Sequence, residues 1–202
     1  MKRGFIYDTI SWIIEHLNWI NLVEILKIIV THFVSGKKKK TSASRFTVDV
    51  FIVAKWLFIS LLWAYGVQNT IVNAIVWYLI ITNLFTYFYH HTWSEKLKKN
   101  QYDFHRIRRR YQNLLLSIAF NVYCFAYFFA EPFSSNFDWT SGNPNFGDSA
   151  LFSCANSLIT DYKPVQIVSD IGAKMALFET ITTFIFLTII LSNSIPQTKE
   201  QE

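Results

Sequence analysis

Phe146-Gly-Asp-Ser-Ala-Leu-Phe-Ser-Cys-Ala-Asn-Ser-Leu-Ile-Thr-Asp-Tyr-Lys-Pro164 is an apolar stretch opened by an acid and closed by a polar turn. A second apolar run follows it, from Ile171 to Ser192. Crossing a bilayer as a helix takes about 20 apolar residues. The first stretch is too short for that, and the second is long enough. A short helix, the turn Asp161-Tyr-Lys-Pro164 and a full span together describe a re-entrant pore loop with its inner helix. Non-helical backbone at membrane depth is tolerated only where it is buried in protein or lines water. A pore is therefore the leading reading.

Asp148 begins the short helix, Phe152-Ser153 sits inside it, Gly172 opens the next span, and Glu179 lies one further turn pair along. On these positions residues 146–195 resemble the pore module of the tetrameric P-loop cation channels, the potassium-channel superfamily. The resemblance implies a homotetramer with its filter on the loop. No nucleotide loop, nucleophile elbow or metal quartet appears in the sequence, so no catalytic group, cofactor or metal is expected. The resemblance also implies that Glu179 packs behind the pore helix. Two departures stand out. The family filter reads Thr-Val-Gly-Tyr-Gly, whereas Ile159-Thr-Asp-Tyr-Lys163 carries no glycine, whether Tyr162 or Thr160 is aligned. The basic residue that should follow the glycine is displaced to Lys174.

Potassium filters replace the ion's hydration shell with backbone carbonyls, and glycine permits the conformation that aims them inward. Thr160, Asp161, Tyr162 and Lys163 are the filter candidates here. A tetramer would gather four copies of Asp161 into a carboxylate ring, which favours cations and leaves them more hydrated. Lys163 would neutralise that ring or pair with Asp161 in a closed turn. Asp148 is expected as an N-terminal cap or dipole partner. Asn156, Ser157 and Thr160 are placed to hydrogen-bond the filter backbone, and small polar residues also join membrane helices. Thr180, Thr183, Phe184 and Leu187 are candidates to line the inner helix, with Phe184 and Phe186, or Leu187 and Leu191, as a dewetting gate.

At 51% hydrophobic, 18% aromatic and 16% charged, the chain is too apolar for an ordinary soluble domain. The net charge of +5 then reads as an inner-leaflet excess of Lys and Arg, not as a nucleic-acid footprint. The predicted fold is an all-α membrane protein with four transmembrane helices, over 46–67, 71–89, 113–130 and 171–192. A re-entrant helix and loop lie between the last two, and an N-terminal amphipathic helix precedes them. In domain terms, 1–36 is an interfacial helix and 37–45 a polybasic linker. Residues 46–93 form a peripheral hairpin, 94–112 a basic connector, 113–195 the pore-like unit and 196–202 a cytoplasmic tail. The rival reading makes residues 10–34 a further span. No cleavable signal is expected, because Asp8, Glu15 and His16 interrupt the first apolar stretch.

Lys37, Lys38, Lys39 and Lys40, with Arg108, Arg109 and Arg110, are the expected contacts to anionic lipid or to a cytosolic protein partner. Basic inner loops and outer segments poor in Lys and Arg put both termini in the cytoplasm, in a bacterial-type inner membrane. Arg106, Arg108, Arg109 and Arg110 are nearly contiguous, not every third residue in an apolar helix, so a voltage sensor is not expected. His90, His91 and His105 are too few for a histidine-box enzyme, since the chain holds five histidines. Cys124 and Cys154 are expected as free thiols. The expected function is a cation-conducting homotetrameric channel with a non-standard filter. The alternative is a non-conducting scaffold or sensor of the same architecture that works with a cytosolic partner, for example in bacterial phage defence.

Overall fold

The computed structural model describes residues 4–17, 21–89 and 104–194. His90, His91, Lys96, Lys98, Lys99 and the tail 195–202 lie outside the described residues, as do the side chains of Lys37, His105, Arg106, Arg110 and Leu191. The chain divides into two compact units, residues 1–58 and 59–202.

In the first unit the single helix expected over the N-terminus is two helices. α1 is Phe5–Leu17 and α2 is Leu22–His32. The break falls at Asn21, whose side chain accepts the Val23 amide at 3.1 Å. Asn favours this N-cap position because its oxygen satisfies an amide the helix itself leaves unpaired. At 13 and 11 residues, neither helix is long enough to span a bilayer. Ile6, Ile10, Ile13 and Leu17 recur at helical spacing on α1 and are all exposed. On α2, Glu24 and Lys27 pair at 2.6 Å.

The lysine run is not a linker. Lys37 begins α3, Lys37–Ala64, and the Lys40 amide donates to Gly36 O at 2.9 Å. Cations at a helix N-terminus oppose its dipole, by about 0.3–1 kcal/mol each at a surface. The helix forms there because propagation from the long apolar continuation outweighs that cost.

Four helices are long and apolar enough to cross a membrane: α3, α4 (Thr70–Phe88), α5 (Phe104–Ala130) and α7 (Asp170–Ser194). They match the four predicted spans in order. In the second unit α3 ends on Gly66, at φ 58°. The Val67 amide returns to Leu62 O at 3.0 Å and the Gly66 amide to Trp63 O at 3.1 Å. This double bond closes a helix end through a left-handed residue, and glycine adopts that conformation without a Cβ penalty. Tyr127 OH then donates to Val67 O at 2.5 Å and ties the turn to α5.

α5 is the central helix of this unit, packed by α4, α7 and α6 (Phe146–Ser157). Phe120, Cys124, Phe125, Tyr127, Phe128 and Phe129 are all fully buried on it. Trp77 of α4 lies 5.1 Å from the Phe128 ring, and Phe152 of α6 lies 5.0 Å from Phe129. On α6, Ser149, Ser153 and Ser157 recur once per turn and are buried. Small side chains in that pattern let two membrane helices approach closely.

The all-helical expectation needs one correction. The segment between α5 and α6 contains a 3-10 turn, Ser134–Asn136, and strand β1, Phe137–Trp139. β1 pairs antiparallel with β2, Val165–Ile167, in the register Phe137↔Ile167, Asp138↔Gln166 and Trp139↔Val165. The alternation is present in sequence, since Phe137 and Trp139 are buried and Asp138 between them is exposed. Three residues are too few for that period to stand out from a polar loop.

Candidate functional site

β1 and β2 bracket α6, so the chain leaves the ladder at Trp139 and returns to it at Val165. α6 begins with Asn145 as its N-cap, not Asp148. Asn145 Oδ1 accepts the Asp148 amide at 2.8 Å, and Asn145 Nδ2 donates to Asp148 Oδ2 at 2.6 Å. The Asn145 side chain thus satisfies one free amide of the first turn and holds the Asp148 carboxylate beside it. Asp148, three residues inside, keeps the dipole-partner role. It has a further partner that the sequence did not reveal. Tyr162, beyond the far end of α6, donates its hydroxyl to Asp148 Oδ1 at 2.8 Å.

The Tyr162 hydroxyl holds the Asp148 carboxyl below the usual carboxylate range, and the Asn145 amide adds to the effect. The same bond raises the Tyr162 phenol. A carboxylate held low in the folded state stabilises it fully above the ordinary value of about 4, and this is lost as the pH falls through the lowered pKa. Thermal unfolding in detergent should therefore show an acid-sensitive step below about pH 4. Asp148→Asn should abolish that step. Tyr162→Phe should move it up toward the ordinary carboxylate range, and an unmoved step would remove the bond from the account.

α6 ends on its other side in an unusual way. The Thr160 amide bonds Ala155 O at 2.8 Å and the Ile159 amide bonds Asn156 O at 3.0 Å. The pattern is the one that closes α3, but the left-handed residue is Ile159, at φ 56°. It is the only non-glycine among the described residues with positive φ. Leu158 and Ile159 are 71% and 78% exposed.

The filter candidates do not form a carbonyl-lined filter within the chain. Tyr162 O accepts the Val165 amide at 3.0 Å, and Pro164 O accepts the Thr140 amide at 2.9 Å. None of Asp161, Tyr162 and Lys163 adopts positive φ, which the aimed-carbonyl geometry of a glycine filter requires. Thr160 Oγ1 turns back to Ala155 O at 3.0 Å. Asp161 and Lys163 are exposed, and the closed local pair is not formed among the described residues. A cleft of about 300 Å³ runs beside the loop, lined by Phe152, Asn156, Tyr162, Val165 and Ile167 among others.

Asn156 and Ser157 face Glu179, not the loop backbone. Glu179 is fully buried. Asn156 Nδ2 donates to its Oε2 at 2.7 Å, and Ser157 Oγ donates to Oε1 at 3.2 Å. Ser153 Oγ is shared between Oε1 and Val122 O. The carboxyl thus links α6 and α7 beside α5. Buried polar groups of this kind carry a large cost unless all are paired.

Of the inner-helix candidates, Thr180 is half-buried and its hydroxyl bonds Ala176 O at 3.1 Å. Thr183 is buried, with its hydroxyl 3.5 Å from Ser157 Oγ. Phe184 and Leu187 are the exposed pair, at 65% and 44%. Lys38, Lys39 and Lys40 are exposed on the first turns of α3. Arg108 is exposed and Arg109 half-buried at the start of α5. Cys124 is buried and Cys154 exposed, and neither is in a disulfide. No His/Cys/Asp/Glu group that could hold a metal occurs among the described residues.

Ser149, Asn145 and the Tyr162–Asp148 bond were not singled out by the sequence. An Asn three residues before an Asp at a helix start was the available signal for the cap. The tyrosine bond had none, because its partners are separated by the whole of α6. Comparison with protein-family models, curated proteins and solved structures finds no match in any of the three.

Proposed function

We propose that the chain is the subunit of a homotetrameric membrane ion channel that passes cations through a non-standard filter. The observation that carries this reading is the β1–β2 ladder around α6. α6 has 12 residues, about 18 Å at about 1.5 Å per residue, against a hydrocarbon core of about 30 Å. A helix too short to cross, with its two flanks hydrogen-bonded to each other, supports an excursion that enters and leaves on one side. Backbone bonds to the end of α6, within the turn and in the ladder supply the internal pairing that membrane depth calls for.

With Tyr162 O and Pro164 O occupied, the exposed anionic group on the loop that can meet a cation is the Asp161 side chain. That favours a wide, hydrated cation path over a dehydrating one. Reconstituted in planar bilayers under asymmetric salt, the protein should show a cation-positive reversal potential. Asp161→Asn should lower the cation-to-anion permeability ratio several-fold, and an unchanged potential would remove Asp161 from the path. Exposure of Leu158 and Ile159 beside the loop favours one second reading, a non-conducting scaffold or sensor with an apolar plug. A tetramer of verified mass that passes no ions would establish it over the first.

In the same reading, α1 and α2 lie along the inner interface with Ile6, Ile10, Ile13 and Leu17 toward lipid. Both termini face the cytoplasm of a cell inner membrane. Lys37 to Lys40 and Arg108 to Arg110 meet anionic headgroups or a cytosolic partner.

A further inference from the structure

Asp161 and Lys163 lie on the loop between α6 and β2. Both are exposed, opposite in charge and two residues apart, and neither makes an ion pair or side-chain hydrogen bond among the described residues. Elsewhere in the chain, opposite charges at helical spacing do pair, as in Glu24 with Lys27 and Asp170 with Lys174. On the non-helical loop the same two charges do not reach each other.

The loop that carries them is held at both ends. Its start is fixed by the Thr160 and Ile159 amides on the end of α6. Its middle is fixed by Tyr162, whose hydroxyl reaches Asp148 and whose carbonyl takes the Val165 amide. Its end is fixed by Pro164 O on the Thr140 amide. Charges on a loop ordered in advance pay little ordering entropy on association.

Beside them stand Leu158 and Ile159, exposed and apolar. The left-handed conformation crowds the Cβ of an L-residue against the following carbonyl oxygen, and a β-branched residue there is a genuine outlier. Gly66 fills the same position at the end of α3 without that crowding. Strain retained at an exposed apolar side chain points to a use for that side chain. The adjoining cleft offers Phe152, Val165 and Ile167 as an apolar lining.

We propose that copies of this chain join head to tail at this loop, Asp161 of one copy pairing with Lys163 of the next, with Leu158 and Ile159 anchored at the neighbour's cleft. Different patches meet on the two sides of such a contact, so it propagates around a ring and closes if the rotation allows. The occupant of the cleft is a second copy of this chain, chosen by charge complementarity: each loop presents one unsatisfied anion and one unsatisfied cation. The proposal rests on the oligomeric channel reading for its symmetry, but not on conduction. It goes beyond that reading by naming the residues through which neighbouring subunits meet.

The test uses the full chain with two different affinity tags, purified in mild detergent and weighed by native mass spectrometry. Asp161→Lys alone and Lys163→Asp alone should each lower the assembled fraction at least tenfold. Co-expressed in equal amounts, the two variants should restore rings that carry both tags. Pairing within each chain would instead let the double swap Asp161→Lys with Lys163→Asp assemble while the mixture stays apart, and that outcome overturns the proposal. So does full assembly of either single variant, or a wild-type protein that is monomeric in detergent and nanodiscs. Should the charge variants misfold, Ile159→Gly serves in their place. It relieves the strain, so the monomer should unfold at a higher temperature while the assembled fraction falls. An unchanged assembled fraction there counts against the anchor. Rings that assemble yet pass no ions would overturn conduction and leave this contact standing.

Discussion

Glu179→Ala is expected to destabilise the protein by about 3 kcal/mol or more, the largest single effect of any side-chain truncation on α7. Three donors, from Ser153, Asn156 and Ser157, converge on this carboxyl. Truncation takes an acceptor from each: Ser153 Oγ keeps Val122 O and Asn156 Nδ2 keeps Ala176 O, while Ser157 Oγ is left buried without one, at about 1 kcal/mol or more. Within membranes such bonds average somewhat less, about 0.6 kcal/mol, but the emptied space adds a cavity cost. Glu179→Gln should cost far less. Its amide oxygen can accept from Asn156, while its nitrogen donates to the two serine hydroxyl oxygens, which accept as readily as they donate. Equilibrium unfolding in mixed micelles checks the pair of variants. Equal losses for Ala and Gln would mean that charge, not the hydrogen-bonded link between α6 and α7, is what matters.

Gly172→Ala should be destabilising by about 1–3 kcal/mol, against the ordinary trend for helices. Glycine inside a helix costs about 1 kcal/mol relative to alanine, so propensity alone predicts a gain. The position decides otherwise. A Cβ there would sit 2.8 Å from Asn136 O and 3.2 Å from Asn136 Cβ and Ile167 Cγ2. The oxygen belongs to backbone that already accepts the Val168 amide at 3.1 Å. The Asn136 side chain is held as well, since Ser169 Oγ donates to its Oδ1 at 2.7 Å. The Ile167 side chain can turn aside, but the Asn136 backbone oxygen at 2.8 Å cannot. Relief would require the β1–β2 ladder or the first turn of α7 to shift, so Gly172→Val should be worse than Gly172→Ala. Thermal unfolding of the two variants measures this, and a stabilised Gly172→Ala would show that the close approach yields.

These two residues also mark what could be read early. Gly172 and Glu179 were found by their spacing from the resemblance, and the packing of Glu179 on α6 followed. The reason glycine is required at 172 did not follow, because Asn136 lies in a segment that reads as a polar loop. For Asp161 and Lys163, sequence reading left a ring, a neutralised ring and a closed local pair side by side. Burial patterns within one helix could not choose among them.

What the sequence determined by itself was the set of long apolar helices, their order, and the short helix before the last of them. Membrane thickness converts the length of an apolar run directly into a span, so no partner need be known. The lysine run went the other way. Its charges suggested a linker, while cooperativity along one continuous helix decided the outcome. Only the tertiary structure decided that α5 is the buried centre, that β1 and β2 join the two flanks of α6, and that Tyr162 reaches Asp148. Each of these depends on groups far apart in the chain meeting in space, where hydrogen-bond partners and close backbone approach are fixed by packing. No local period or composition encodes those meetings.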